Sequence, residues 1–217
     1  MHELEAARHL RRMENVLILT HVRPDGDTVG CAAALCLALR KLGKTAYLLP
    51  NPGVTENTAP YVTPYEAPLD FQPEYVVSVD IATTQLLPEN AAMYAEQIEL
   101  AIDHHPSFEH FGQQNIVRPE AGACGELLYD ILRHLTPIDA DIALPLYVAI
   151  ATDTGGFQFS NTTAYTHIVA AALMETGIDY QTVNKVFFRT KSRKRLALEA
   201  DMLTNLEYFD RERVAFL

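Results

Sequence analysis

The stretch HVRPDGD at residues 21–27 directly follows VLILT, the apolar run of residues 16–20. That run favours a buried β-strand, because it is short, apolar and rich in β-branched residues. The next segment, Thr28–Leu42, is apolar on much of its surface and is followed by Gly43, which favours a helix that ends there. The polar cluster therefore lies in a turn between a strand and a helix. Its two aspartates, taken alone, are also explained as ordinary turn and helix-cap residues.

Two further apolar runs also end at acidic or histidine residues. Tyr75–Val79 stops at Asp80, and Ile98–Ile102 stops at Asp103-His104-His105. Since ligands of α/β proteins bind outside the carboxyl ends of parallel strands, we expect the residues that end all three runs to meet in one crevice.

Strand and helix patterns alternate along most of the chain, which predicts an α/β fold: three layers, with a mostly parallel β-sheet flanked by helices. A further strand is predicted at Lys44–Leu49. Helices are predicted at Pro88–Gln97, Glu120–Leu135, Asp141–Thr152 (with Asp141 as its N-cap), Thr163–Thr176, Tyr180–Phe188 and Leu196–Phe209.

Composition limits the class of protein. The net charge of −11 argues against a protein that coats long duplex nucleic acid, which is usually basic. No apolar stretch is long enough to span a membrane, and the charged first residues do not resemble a secretory signal. Cys31, Cys36 and Cys124 lack CxxC spacing and are expected to be reduced thiols. These features predict a cytoplasmic location.

Asp153 ends an apolar helix, where a carboxylate opposes the helix dipole unless a cation compensates it. With Asp153, the candidate ligands share one chemistry: imidazole and carboxylate without thiolate, from His21, Asp25, Asp27, Asp80, His104 and Asp153. Such sets suit Mn²⁺, Mg²⁺, Zn²⁺ or Fe²⁺, and six groups can hold two cations if one acid bridges them. Two bound metals are a recurring arrangement for phosphate-ester hydrolysis.

Four segments in this order resemble the motifs of the DHH phosphoesterases: HVRPDGDTVG from His21, Asp80 after its strand, DHH at Asp103–His105, and ATDTGGFQFSNTT at Ala151–Thr163. The last segment is most similar to the nanoRNase and pAp-phosphatase branch. The resemblance implies hydrolysis of very short oligoribonucleotides (nanoRNA) and of 3′-phosphoadenosine 5′-phosphate (pAp). It also implies two divalent cations, Mn²⁺ first, with Mg²⁺, Co²⁺ or Fe²⁺ as alternatives.

The resemblance assigns a role to each candidate residue. His21 and Asp25 would hold the first metal, Asp27, His104 and Asp153 the second, and Asp80 would bridge the two metals. A water that also bridges the metals would be the nucleophile. His105 would bind the substrate phosphate or protonate the leaving oxygen, and Asp103 would orient the histidines beside it. Asn161, in a loop that otherwise looks like a helix cap, would contact substrate.

The resemblance also implies a division of the chain. We expect a catalytic domain at residues 1–188, and at residues 189–217 a connecting helix and the start of a second domain that is not present. In the family, that second domain carries a glycine-rich substrate-binding motif. A homodimer is compatible with the sequence.

Other functions stay open at this point. Within the same class they are a cyclic-dinucleotide or pApA phosphodiesterase, a single-strand exonuclease and, with least support, an inorganic pyrophosphatase. Of another class is a metal- or nucleotide-binding regulatory module without turnover.

Overall fold

A computed structural model describes residues 1–211 and 213–216. The helices that pack on the sheet or follow it are α1 (Glu3–Leu10), α2 (Gly26–Lys41), α3 (Ala59–Val62), α4 (Cys124–Leu132), α5 (Ala140–Asp153), α6 (Ala164–Glu175), α7 (Tyr180–Asn184) and α8 (Arg193–Thr204). The strands are β1 (Val16–Leu19), β2 (Ala46–Leu48), β3 (Tyr75–Val79), β4 (Ile98–Asp103), β5 (Gln114–Val117), β6 (Glu207–Phe209) and β7 (Val214–Phe216).

The first five strands form one sheet in the order β2-β1-β3-β4-β5, and every neighbouring pair is parallel. This arrangement confirms the predicted fold class. Alternate residues of the strands face opposite sides: Ile18 and Val77 lie in the larger hydrophobic core under the long helices, while Leu17 and Val76 lie in a smaller one. The smaller core is covered mainly by 3₁₀ turns and loops rather than by α-helices.

Helices α2 and α5 pack closely on the larger face. A Cβ at Gly30 of α2 would overlap the carbonyl oxygen of Pro145 and lie 2.9 Å from Cβ of Ala149, both on α5. Glycine is therefore required for this approach. The contact places the end of α5, and with it Asp153, beside the turn that begins α2.

Several predicted elements differ from the structure. The segment at residues 88–97 is a 3₁₀ helix (Glu89–Gln97). Strand β5 was not predicted, because QNIV is half polar and only its Ile116 is buried. The predicted N-cap Asp141 is wrong: Asp139 caps α5, its carboxylate accepting a hydrogen bond from the Ile142 amide at 3.3 Å.

The C-terminal part also differs. The helix predicted at residues 196–209 runs instead from Arg193 to Thr204, and β6 pairs with β7 in an antiparallel hairpin. No residue of α8 is buried, so no core contact specified its limits. The predicted boundary between residues 188 and 189 stays a prediction. Among the described residues, no helix is both long and apolar enough to cross a membrane.

Candidate active site

The turn after β1 supplies His21 and Asp25. Asp25 is the N-cap of α2, and its Oδ1 accepts hydrogen bonds from the amides of Asp27 and Thr28 at 3.0 and 3.2 Å. The same oxygen lies 3.6 Å from Nε2 of His21. Asp25 is therefore the residue of this turn that caps the helix. The same hydrogen bonds orient its carboxylate toward the imidazole of His21.

Asp27 lies in the first turn of α2 and is 1% exposed. Its Oδ2 accepts a hydrogen bond from the Cys124 amide at 2.7 Å, and its Oδ1 accepts one from the Gly125 amide at 3.0 Å. Both amides belong to the first turn of α4, where the helix dipole favours an anion. The Cys31 thiol donates a third hydrogen bond, at 3.3 Å to Oδ1. These three hydrogen bonds hold the Asp27 carboxylate in a fixed position.

Sequence reasoning missed these three supporting residues. Cys31 follows Asp27 by one helical turn, a spacing that could have suggested the contact. Cys124 and Gly125 are about a hundred residues away in the chain, and no local pattern indicates their role.

Asp80 lies at the centre of the cluster and is 3% exposed. Its backbone has a φ of +57°, a left-handed conformation that Asp adopts more readily than most residues. Its Oδ2 lies 4.0 Å from Nε2 of His21, while its Oδ1 lies 3.6 Å from Nε2 of His104. The two oxygens of one carboxylate therefore face two different groups of ligands.

The three residues of the DHH motif have different contacts. Oδ1 of Asp103 accepts hydrogen bonds from both following amides, at 2.6 and 3.1 Å, and from Nδ1 of His105 at 2.7 Å. His104 instead places its Nδ1 3.1 Å from the Ala121 carbonyl oxygen. Since a carbonyl only accepts, Nδ1 of His104 donates its proton to the Ala121 oxygen, and Nε2 is the ring nitrogen that is left to face the cluster.

Nε2 of His104 faces three carboxylates. It lies 3.7 Å from Oδ2 of Asp27, 3.6 Å from Oδ1 of Asp80 and 3.7 Å from Oδ2 of Asp153. Three carboxylates that converge on one ring nitrogen repel one another, and a cation held among them would relieve that repulsion.

Asp153, at the end of α5, is held by Asn161. The side-chain amide of Asn161 donates to the backbone oxygen of Asp153 at 3.1 Å and to its Oδ2 at 3.4 Å, and also to the Gly122 oxygen at 2.8 Å. These bonds occupy the Asn161 amide nitrogen and orient Asp153. The substrate contact expected for Asn161 stays a prediction.

Potential ligand atoms form three groups, each with all its atoms within 4.8 Å of one another: His21 with Asp25 and Asp80; Asp27 with His104 and Asp153; and Asp80 with His104 and His105. Separations of 3.6–4.0 Å are too long for hydrogen bonds. They suit ligands that share one cation at about 2.0–2.2 Å from each. Oδ1 of Asp80 is buried and, among the described residues, has no hydrogen-bond partner. The residues therefore fit a pair of divalent cations.

Most of the carboxyl groups in the cluster have raised pKa values, as expected for buried acids that repel one another. Burial, together with repulsion from neighbouring carboxylates, raises the pKa of Asp27 and of Asp80 well above the ordinary value. Burial also raises the pKa of Asp153. For Asp25 burial is outweighed by His21 and two amides, so its pKa is lowered. Bound cations would remove the repulsion and keep all four groups ionised.

His105 has the opposite electrostatic character. The hydrogen bond to Asp103 raises the pKa of His105 to about 9, so this imidazole is cationic at neutral pH. It is half-buried and faces a cavity of about 540 Å³ over the cluster, whose lining residues are His21, Val22, Arg23, Asp25, Asp80, Leu86, His105 and Asp153.

The sequence was compared with models of known families. Residues 15–150, which contain all of these ligands except Asp153, match the model of the DHH family, N-terminal domain. The chain belongs to the DHH family. This match confirms the resemblance on which the residue roles were predicted.

Individual relatives agree with the family match. The bifunctional oligoribonuclease and PAP phosphatase NrnA of Thermus thermophilus is 33% identical over 185 residues, or 83% of this chain. The protein of the same name from Bacillus subtilis is 24% identical over 86% of this chain. The chain spans 56% and 61% of the lengths of these two DHH relatives.

A solved structure shares the fold. The crystal structure of an exopolyphosphatase-related protein from Bacteroides fragilis superposes with a TM-score of 0.81 at 22% identity, over 94% of this chain and 66% of that one. The fold of that protein therefore extends over nearly the whole of this chain.

Proposed function

We propose that this chain is the catalytic part of a two-metal phosphoesterase that hydrolyses short oligoribonucleotides and pAp. The observation that carries the proposal is the position of Asp80. One of its carboxylate oxygens faces His21, and the other faces His104. A carboxylate shared in this way is what a pair of adjacent cations requires of its bridging ligand.

The proposal assigns the remaining ligands by proximity. His21, Asp25 and Asp80 would hold the first cation, and Asp27, His104 and Asp153, together with Asp80, would hold the second. Bound cations acidify water and neutralise the charge that develops on the phosphate during hydrolysis. Hydrogen bonds from the first turn of α4 keep Asp27 in place, and the Ala121 carbonyl keeps Nε2 of His104 directed at the cluster.

In the proposal His105 acts on the substrate. Its Nδ1 is bonded to Asp103, which leaves Nε2–H free for a phosphate oxygen in the cavity. A cationic imidazole there stabilises the negative phosphate and can donate a proton to the leaving oxygen. Asp103 is a positioning residue, because it acts through His105.

The substrate class is supported by the DHH relatives, two of which carry the name of an oligoribonuclease and PAP phosphatase. A cavity of about 540 Å³ is the size of a small-ligand site, and the net charge of −11 disfavours long nucleic acid. The preference for Mn²⁺, the cytoplasmic location and the division at residue 188 are parts of this proposal that rest on the sequence.

Hydrolysis of a defined set of substrates tests the proposal. The purified chain is incubated with Mn²⁺ and, separately, with pAp, the 5′-phosphorylated dinucleotide pApA, cyclic di-AMP and pyrophosphate. Release of phosphate from pAp and of AMP from pApA is expected. The variant Asp80→Asn should lose this activity, whereas the matched exposed variant Asp70→Asn should keep it.

Other outcomes favour the other functions. Hydrolysis restricted to cyclic di-AMP would indicate a cyclic-dinucleotide phosphodiesterase, and hydrolysis restricted to pyrophosphate a pyrophosphatase. Mn²⁺ binding without hydrolysis of any of the four would support a regulatory module and would overturn the proposal.

A further inference from the structure

Three residues that line the cavity over the cluster are not candidate metal ligands and have no role so far. They are Val22 and Leu86, which are 40% and 38% exposed, and Arg23, whose side chain is exposed. Arg23 forms no hydrogen bond or ion pair with any residue that the structure describes. An arginine without a protein partner, beside a cavity, is free to bind an anionic ligand.

The backbone that carries Arg23 is firmly held. The Val22 amide donates to the Leu86 carbonyl oxygen at 2.7 Å, and the Asn51 side chain donates to the His21 carbonyl oxygen at 2.8 Å. A Cβ at Gly53 would lie 2.5 Å from the Val22 oxygen, so this part of the chain also packs directly on the turn.

The residue after Arg23 adds a further restriction. Pro24 limits the preceding residue to extended conformations. The direction in which Arg23 leaves the turn is therefore fixed before a ligand arrives, which lowers the entropic cost of binding.

We propose that Arg23 binds the second, non-reacting phosphate of a nucleotide that carries two phosphate groups, while the reacting phosphate lies at the DHH motif. This inference rests on the proposed function and adds a specificity residue to it. The planar guanidinium can donate to two oxygens of one phosphate. A nucleotide with two phosphates can place one at Arg23 and the other at the DHH motif, whereas a nucleotide with one phosphate can occupy only one of these positions. The apolar side chains of Val22 and Leu86 lie beside Arg23 and suit contact with the nucleoside between the two phosphates.

Residues of this chain would therefore contribute to the choice of substrate. pAp and 5′-phosphorylated dinucleotides can place phosphates at both Arg23 and the DHH motif, whereas AMP and p-nitrophenyl phosphate can occupy only one of these positions. Arg23 therefore separates substrates by the number of their phosphates, and the residues around the cations hydrolyse whichever phosphate reaches them.

Binding measurements test this directly. Isothermal titration with pAp and with AMP, in Ca²⁺ to limit turnover, is done on the wild-type chain and on Arg23→Gln. The control is Arg12→Gln, which removes an exposed positive charge before the start of β1, at the opposite end of that strand from His21. Wild type and Arg12→Gln should bind pAp about tenfold more tightly than AMP, as expected for one charge-assisted contact. Arg23→Gln should bind both with similar affinity, and Arg23→Lys should recover part of the difference.

Kinetics provide a second readout. With Mn²⁺, Arg23→Gln should raise KM for pAp about tenfold and leave KM for p-nitrophenyl phosphate within about twofold of wild type. Equal changes for the two substrates, or an unchanged ratio of pAp to AMP affinity, would overturn the assignment of Arg23 while leaving the phosphoesterase proposal intact. If the wild-type chain hydrolyses nothing, the proposed function fails, and the titrations still decide whether Arg23 recognises the second phosphate.

Discussion

Asp80→Asn should stabilise the metal-free protein while removing its activity. The Asp80 carboxylate is 3% exposed, one of its oxygens has no hydrogen-bond partner among the described residues, and Asp27 and Asp25 repel it. A buried polar atom without a partner costs about 1–3 kcal/mol, and more when charged. Asparagine removes the charge and tolerates the φ of +57° at this position.

The expected gain is measurable. About 1–3 kcal/mol corresponds to a rise in Tm of about 2–12 °C, since a domain of this size shifts by about 2–4 °C per kcal/mol. The assay is thermal unfolding followed by circular dichroism at pH 7 with a chelator, and then with Mn²⁺. At about 100 times Kd, Mn²⁺ should stabilise the wild type by about 2.7 kcal/mol per site. Without its bridging carboxylate the variant should gain much less, so the order of the two Tm values reverses.

A matched substitution at Asp103 should change the Tm of the metal-free protein in the opposite direction. Asp103 is as deeply buried as Asp80, and its Oδ2 also has no hydrogen-bond partner among the described residues, but its Oδ1 accepts three hydrogen bonds. Asp103→Asn replaces charge-assisted bonds by weaker neutral ones, and it should lower the Tm of the metal-free protein. The reasoning is refuted if Asp80→Asn is less stable than the wild type in chelator, or if both substitutions shift Tm in the same direction.

The pH dependence of the gain follows from the raised pKa of Asp80. Below the ordinary value of 3.8 the carboxyl is protonated in both the folded and the unfolded states, so the substitution removes no charge. Above that value the unfolded state ionises first, and the wild-type fold loses stability until the raised folded pKa is passed. The Tm difference should therefore be small near pH 3.5 and largest at neutral pH. A gain of equal size at both pH values would exclude the charge as its cause.

Three further substitutions test the supports of the site. Cys31→Ala should weaken Mn²⁺ binding about two- to fivefold in calorimetry, because one weak hydrogen bond to Asp27 contributes about 0.5–1 kcal/mol, and Cys31→Ser should not. Gly30→Ala should lower the free energy of unfolding by about 1–3 kcal/mol in urea denaturation, since its Cβ overlaps α5. Gly53→Ala should displace the turn that carries Arg23 and raise KM for pAp more than KM for p-nitrophenyl phosphate; equal effects would count against the displacement.

Much of the fold could be predicted because each buried strand is a short run of mostly apolar residues. Val16–Leu19 and Tyr75–Val79 are apolar runs that end at a polar residue, and the structure places both within the parallel sheet. The gathering of their terminal residues followed from the rule that parallel strands end at the same edge. Strand β5 escaped prediction because QNIV has neither the composition nor the periodicity of a buried strand, and its pairing with β4 specifies it instead.

The residues that support the site could not be predicted, because their contacts are non-local. Asp27 accepts hydrogen bonds from residues 97 and 98 positions later in the chain. Asn161 illustrates the other limit. Its place in a loop after Asp153 indicated proximity to the site, but the direction of its amide, toward Asp153 and Gly122, depends on how that loop closes.

The order of residues in the DHH motif has a geometric reason. The amides of both His104 and His105 donate to one oxygen of Asp103, so the chain turns tightly around that carboxylate. The turn separates the two imidazoles, whose ring planes differ by 59°. One imidazole keeps its hydrogen bond to Asp103, while the other donates Nδ1–H to the Ala121 carbonyl and turns its Nε2 toward the carboxylates. An acid in the first position thus gives two adjacent histidines different hydrogen-bond partners and different directions. Exchange of Asp103 and His104 would remove both the turn around the carboxylate and this difference in direction.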